Sequence, residues 1–213
     1  MLPLTFDKAG GLNILCLGAH CDDIEIGCGG TLLKLIKKYS IAHLVWVVFS
    51  STPARASEAK KSAEYFLSDV KSKQVIVKDF IDTILPQQLL GVKQFFEEIK
   101  SGFTPDVIFT HCRHDLHQDH RLVNELTWNT FRNCFILEYE IQKYDGDLGN
   151  PGFFVPLDEE IVRLKVNALM EYYPTQTGKH WFDQDTFRAL MRIRGLECAT
   201  RYAEAFYVRK GVL

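Results

Sequence analysis

Two short stretches concentrate the residues that can do chemistry. Between Gly18 and Gly30 the chain reads GAHCDDIEIGCGG, which sets His20, Asp22, Asp23 and Glu25 close together with no cation among them. Such a patch repels itself unless positive charge enters it, and a divalent cation is the simplest source. Far downstream, HCRHDLHQDH places imidazoles at His111, His114, His117 and His120, with Asp119 between the last two. Zinc takes imidazole and carboxylate ligands, and where it catalyses it keeps one position for water. Two ligands from the first burst and one histidine from the second would make that open site. Spacing alone does not choose the histidine. His111 leaves the strand before it, whereas His117 and His120 flank Asp119 at the expected helix start, where residues three apart share a face. Asp119 can equally serve there as a helix cap. Iron(II) suits two histidines and a carboxylate as well as zinc does.

The elements around the bursts have to bring them together. Asn13–Leu17 is an apolar run of the kind a strand shows when both faces are buried, and it stops abruptly at Gly18. Gly27, Gly29 and Gly30 predict a tight turn, and Thr31–Lys38 has the apolar spacing and late lysines of an amphipathic helix. Leu44–Phe49 reads as a second buried strand, Arg55–Ser68 as a helix and Gln74–Val77 as a third strand. Asp79–Gln88 reads as a loop containing Pro86, and Leu89–Ile99 as a helix. Asp106–Thr110 is the fourth strand and Leu122–Phe131 the helix after it. This alternation predicts an α/β fold in one domain spanning residues 1–213: a Rossmann-like, doubly wound, mostly parallel sheet with helices on both faces. In the common order 3-2-1-4-5, strands one and four are neighbours at the switch point, so the two bursts meet in one crevice. The last third is less regular. Cys134–Ile141 reads as a strand, Asp145–Pro151 as a loop, Asp158–Tyr172 and Asp185–Arg194 as helices, and Arg201–Val208 as a mixed aromatic segment. Ile161, Leu164, Leu169 and Met170 are expected to face inward.

Composition limits the alternatives. At 213 residues the chain can bury roughly 70% of its unfolded surface, so it needs no disulfide staple. A net charge of −2 announces neither a nucleic acid nor an anionic membrane as partner. Six cysteines occur without a CxxC pair, and the segment from Met1 to Asp7 makes a poor export signal, so reduced thiols in a cytoplasmic protein are expected. No run approaches the ~20 apolar residues needed to span a bilayer. A dinucleotide fold would need GxGxxG after the first strand and an acid after the second, where this chain has Gly18-Ala19-His20 and Phe49-Ser50. The expected partner is a small molecule, and a homo-oligomer is compatible with everything above.

Read as motifs, the residues resemble a known family. Ala19-His20-Cys21-Asp22-Asp23-Ile24-Glu25-Ile26-Gly27 with Gly29-Gly30 looks like the AHPDDxExGxGG signature of the PIG-L/LmbE-like deacetylases, zinc amidases typified by N-acetylglucosaminyl deacetylases. His117-Gln118-Asp119-His120 resembles their HxDH motif. Arg55 with Glu58-Ala59, Tyr172–Gln176 and Tyr202-Ala203-Glu204-Ala205-Phe206 match later family segments in order.

The resemblance implies a zinc-dependent hydrolase that removes the N-acetyl group from an amino sugar, free, nucleotide-linked or in a glycoconjugate. It assigns the metal to His20, Asp23 and His120, general base to Asp22, and partner acid to His117 oriented by Asp119. Arg55 is proposed to contact substrate with its forked donors, and Glu25 either to orient His20 or to cap the glycine turn. Two departures stand out. Cys21 replaces the family's proline, and Leu116 stands where some members carry a polar or basic residue. These leave two alternatives, an amidase acting on a non-sugar or thiol-conjugate amide, or a scaffold that binds metal without catalysis.

Overall fold

The computed structural model describes residues 4–6 and 8–212. Of the segment read as a poor export signal, Met1, Leu2, Pro3 and Asp7 therefore lie outside the described residues. The strands are β1 (Leu12–Gly18), β2 (Ile41–Ser50), β3 (Lys73–Phe80), β4 (Val107–His111), β5 (Phe135–Tyr139), β6 (Phe153–Leu157) and β7 (Tyr202–Tyr207). The helices are α1 (Asp23–Lys38), α2 (Pro53–Phe66), α3 (Leu89–Gly102), α4 (Gln118–Thr130), α5 (Glu159–Tyr172) and α6 (Gln184–Glu197). A 3-10 turn covers Leu85–Gln88.

All seven strands form one sheet in the order β3-β2-β1-β4-β5-β7-β6. The first five are parallel, and β7 pairs antiparallel with both β5 and β6. The expected switch point is there: β1 lies between β2 and β4, with Leu15 opposite Ile108. Alternate strand residues feed two cores. Ile14, Cys16, Trp46 and Phe109 pack with α1, α2, α5 and α6 on one face, while Leu15, Val47, Phe49 and Ile108 pack with α3 and α4 on the other. Burial on both faces explains why these strands read as unbroken apolar runs.

Three expectations need correction. The glycines after Ile26 do not turn the chain, because α1 begins at Asp23 and runs through them. They are there for close approach. A Cβ on Gly27 would lie 2.5 Å from Cγ and 2.7 Å from Cε2 of Tyr139, and one on Gly29 2.8 Å from Phe66 Cε1. The segment after Pro151 contains a strand, β6, where the sequence pattern predicts none, and Arg201–Val208 becomes the strand β7 inserted between β5 and β6. Leu164 is half-buried and is not among the residues packed on the core, Met170 is half-buried but packs against it, and Val162, Lys165 and Val166 are buried on α5.

The buried Lys165 ties the late strand to the first helix. Lys165 Nζ meets Glu204 Oε1 at 2.6 Å and donates to the Ile26 carbonyl at 2.6 Å. Glu204 in turn accepts from the amides of Gly30 at 2.8 Å and Thr31 at 2.6 Å. Ile26 and Gly30 are the i and i+4 members of one helical step, so a single ion pair grips both ends of that step. No helix among the described residues is long and apolar enough to cross a membrane.

Candidate metal centre

The site sits at the carboxyl ends of β1 and β4. β1 stops at Gly18, and the Ala19 carbonyl is held by the Ser50 amide at 2.9 Å and hydroxyl at 2.7 Å. The Ala19 amide donates to His111 Nε2 at 2.9 Å. These bonds fix the exit of β1 against β2 and β4, and α1 starts at once. Asp22 occupies the N-cap position, yet its side chain makes no capping bond. It is free for other work.

His20, Asp23 and His120 converge. His20 Nδ1 lies 3.1 Å from His120 Nε2 and 3.4 Å from Asp23 Oδ2, and His120 Nε2 lies 3.6 Å from Asp23 Oδ1. Zinc–ligand bonds of ~2.0–2.2 Å at tetrahedral angles separate donors by roughly 3.3 Å, so the two nitrogens, each with one oxygen of the Asp23 carboxylate nearby, have spacings suited to one ion. Two further donor sets, His20 with His117 and His120, and Asp23 with His111 and His120, overlap the same space, and a third joins His20 to Asp82 and Asp119.

The outer nitrogens identify the face that binds. His120 Nδ1 meets Asp115 Oδ2 at 2.9 Å, and His20 Nε2 meets Asp119 Oδ2 at 3.2 Å and Asp82 Oδ1 at 2.9 Å. Each ring thus has a carboxylate on its outer nitrogen, and an N–H given to that carboxylate would leave a lone pair facing the other donors, the arrangement metal-bound histidines require. The charge balance points the same way. Burial opposes a proton on His20, but Asp23, Asp119 and Asp82 more than reverse this, and its pKa lies well above the ordinary value. Burial lowers the His120 pKa to about 4, helped by His111. The site therefore seeks one positive charge and leaves His120 unprotonated as a donor.

The remaining predicted residues divide. Asp22 Oδ1 accepts from Arg55 Nη2 at 2.8 Å, so the expected base and the expected substrate contact are partners. Burial pushes the Asp22 carboxyl up, and Arg55 pulls it back. Arg55 Nε is buried without a partner among the described residues and remains a spare donor. His117 is half-buried with its ring 4.8 Å from that of His20, and its Nδ1 accepts from the Asp119 amide at 3.2 Å. What orients His117 is therefore the Asp119 backbone amide and not its carboxylate. The Asp119 carboxylate does not reach His117; it accepts from Thr83 N at 2.8 Å and Leu85 N at 3.0 Å while meeting His20. His117 itself caps α4. Because an N–H points at Nδ1, its proton belongs on Nε2, and burial together with His20 lowers its pKa.

Glu25 is also corrected. Its Oε1 accepts from Ser62 Oγ at 2.6 Å and from the Tyr173 hydroxyl, and no hydrogen bond joins it to His20. In a helix, residues two apart point about 200° away from each other, which takes Glu25 off the face of Asp23. Cys21 donates to the Ser50 carbonyl at 3.5 Å and belongs to none of the donor sets. Asp115, Asp82 and His111 join the site from outside the expected set. His111 is buried, lies 3.2 Å from Asp23 Oδ2 and stacks on His120 at 3.9 Å between centroids. His114 is exposed.

Comparisons with known proteins give the family and the fold. A family profile described as GlcNAc-PI de-N-acetylase (PIG-L) matches residues 15–131. The Uncharacterized deacetylase YaiS of Escherichia coli (strain K12) is 31% identical over 167 residues, covering 75% of this chain and 90% of that one. Among solved structures, the conserved protein TT1542 from Thermus thermophilus superposes with a TM-score of 0.71 at 22% identity, covering 95% of this chain and 96% of that one. N,N'-diacetylchitobiose deacetylase from Pyrococcus horikoshii gives 0.70 at 19%, covering 93% and 84%. GalB, a 4-carboxy-2-hydroxymuconate hydratase from Pseudomonas putida KT2440, gives 0.72 at 15%, covering 95% and 98%. A deacetylase and a hydratase share the architecture, so these likenesses show the fold, and the reaction has to be argued from the site.

Proposed function

Since the chain belongs to the GlcNAc-PI de-N-acetylase (PIG-L) family of deacetylases, we propose that residues 1–213 act as one domain that hydrolyses the N-acetyl group of an amino sugar, free or carried on a nucleotide or glycoconjugate. The observation that carries this reading is the convergence of His20, Asp23 and His120 beside Asp22, an arrangement suited to a divalent ion, zinc or iron(II), with an adjacent free base. When bound, the ion supplies Lewis acidity and makes water acidic enough to give up a proton near neutral pH.

The chain's own groups do the rest. Arg55 holds Asp22 by Oδ1, which leaves Oδ2 to take the proton of the attacking water. That water oxygen bonds to the acetyl carbon, and the carbonyl oxygen gains negative charge. His117, with Nδ1 occupied, presents an Nε2–H to that oxygen. The C–N bond then breaks as Asp22 returns its proton to the nitrogen, and acetate and free amine leave. Asp82, with its side chain about half exposed, offers an acceptor for a sugar hydroxyl, and we keep Arg55 as a substrate contact through its guanidinium beside Asp22. Six free cysteines suit a reducing compartment, and we place the protein in the cytoplasm.

The test is acetate and free-amine release from a panel of N-acetyl sugars by the zinc- or iron-loaded protein. Equal release of both products is expected, and Asp22→Asn should cut turnover by about 10²–10⁴ while keeping the metal. Full metal loading with no hydrolysis of any N-acetyl amide would replace this reading with the scaffold.

A further inference from the structure

Asp115 connects the metal ligands to the loop after β5. Its Oδ2 meets His120 Nδ1 at 2.9 Å, while its Oδ1 accepts from the His117 amide at 2.8 Å and meets Lys143 Nζ at 3.0 Å. Lys143 also pairs with Asp147, whose Oδ2 accepts from the Leu116 amide at 2.7 Å. The side chains of Asp115, Lys143 and Asp147 are only 2%, 12% and 6% exposed. A lone ammonium is heavily penalised in such surroundings, so the lysine is there with its two carboxylates or not at all.

We propose that Lys143, clamped by Asp147, is a positioning residue for the metal centre. It holds Asp115 so that only Oδ2 faces His120. This rests on the reading above that His20, Asp23 and His120 hold a divalent ion. A free imidazole can carry its proton on either nitrogen, and a ligand must carry it on the nitrogen turned away from the ion. Asp115 enforces that choice for His120 as long as its carboxylate does not rotate. Lys143 and the His117 amide fix Oδ1 and prevent that rotation. Without the ammonium, Asp115 and Asp147 are two buried carboxylates that share no cation, and they repel. Asp115 then turns from the ring, and His120 loses its fixed tautomer. The loop from Gln142 to Asp147 thus acts on the ion through two intervening side chains. Lys143 and Asp147 are the groups of this loop tied inward, to Asp115 and to the Leu116 amide.

The test compares full-length wild type, Lys143→Met, Lys143→Arg and Asp147→Asn by chelator competition for zinc and by the visible spectrum of the cobalt-loaded protein, neither of which depends on turnover. Lys143→Met should bind zinc about tenfold more weakly, at the low end for partners outside the ligand shell, with an altered cobalt spectrum, and Lys143→Arg should recover most of the loss. Asp147→Asn should weaken binding about threefold in the same direction, and it answers the question if Lys143→Met does not fold. A lowered melting temperature with zinc affinity and cobalt spectrum unchanged would make Lys143 a loop staple and overturn the proposal. If wild type binds no metal, or His120→Ala binds it as tightly as wild type, the metal-centre reading itself fails.

Discussion

Gly27→Ala sets two effects of opposite sign against each other. Helix propensity favours alanine over glycine by about 1 kcal/mol in a helix interior, and Gly27 lies within α1. A reader of propensity would call the change stabilising. The new methyl carbon, however, would sit 2.5 Å from Cγ and 2.7 Å from Cε2 of Tyr139, about 1 Å inside the ~3.5 Å contact distance of two carbons. Tyr139 cannot swing aside cheaply, since it is fully buried and its hydroxyl donates to the Leu17 carbonyl at 2.6 Å. Overpacking of this kind costs about 1–3 kcal/mol, and loss of the tyrosine hydrogen bond adds about 1 kcal/mol. The sum, less the propensity gain, is about 1–3 kcal/mol of destabilisation, or a fall in Tm of roughly 2–12 °C for a chain of this size. Relief by shifting the start of α1 would move Asp23 relative to His120, so turnover should drop further than stability, by about 10²-fold for a 1 Å displacement. Thermal melts and deacetylation rates on the purified variant are the assay. A Tm equal to or above wild type would refute the account of the glycines as close-approach positions.

Other expectations follow from single contacts. Arg55→Met removes the cation that opposes the burial of Asp22, so the Asp22 pKa rises, more of the base is protonated, and the acid limb of the kcat pH profile should move to higher pH; an unmoved limb would separate the two residues functionally. Thr83 is held at φ 69° in the left-handed region, which costs about 1–2 kcal/mol for a residue with a Cβ. Thr83→Gly should therefore stabilise the fold by about 0.5–1 kcal/mol in urea titrations even after its unfolded-state entropy is counted. Burial pushes the Cys21 and Cys112 thiols up to about 12, and Cys134, the one half-buried cysteine, to about 11. Thiol titration of the native protein should accordingly modify Cys134 first and slowly, and all six only on denaturation.

What can be read in the chain, and what cannot, has physical causes. β1 to α4 are legible because strands buried on both faces cannot avoid apolar runs and because each is followed by a helical period. The meeting of the bursts follows from strand order. Gly27 and Gly29 mislead because glycine in sequence marks conformational freedom, whereas here it marks contact with Tyr139 and Phe66, residues distant in the chain. The same misreading hides the rotation of Glu25 away from Asp23. β6 and β7 carry weak signals: β6 is half-exposed and holds Pro156, and the apolar alternation of β7 is broken by Glu204, whose burial depends on Lys165 and the amides of Gly30 and Thr31. Asp115 stands in plain view five positions before His120, but its role depends on Lys143, which no local spacing connects to it. Asp82 lies in a loop without pattern and becomes a partner of His20 only through the pinning of Thr83 and Leu85 by Asp119.

The grip of Glu204 and Lys165 on the middle of α1 bears on the order of biosynthesis. A ribosome releases the acidic burst early, yet the amides of Gly30 and Thr31 receive their carboxylate only when residue 204 has emerged. Until then the nascent first helix lacks its splint and the sheet lacks its reversed strand. The first helix, which opens at Asp23, is thus completed by the last strand rather than by its neighbours in the chain.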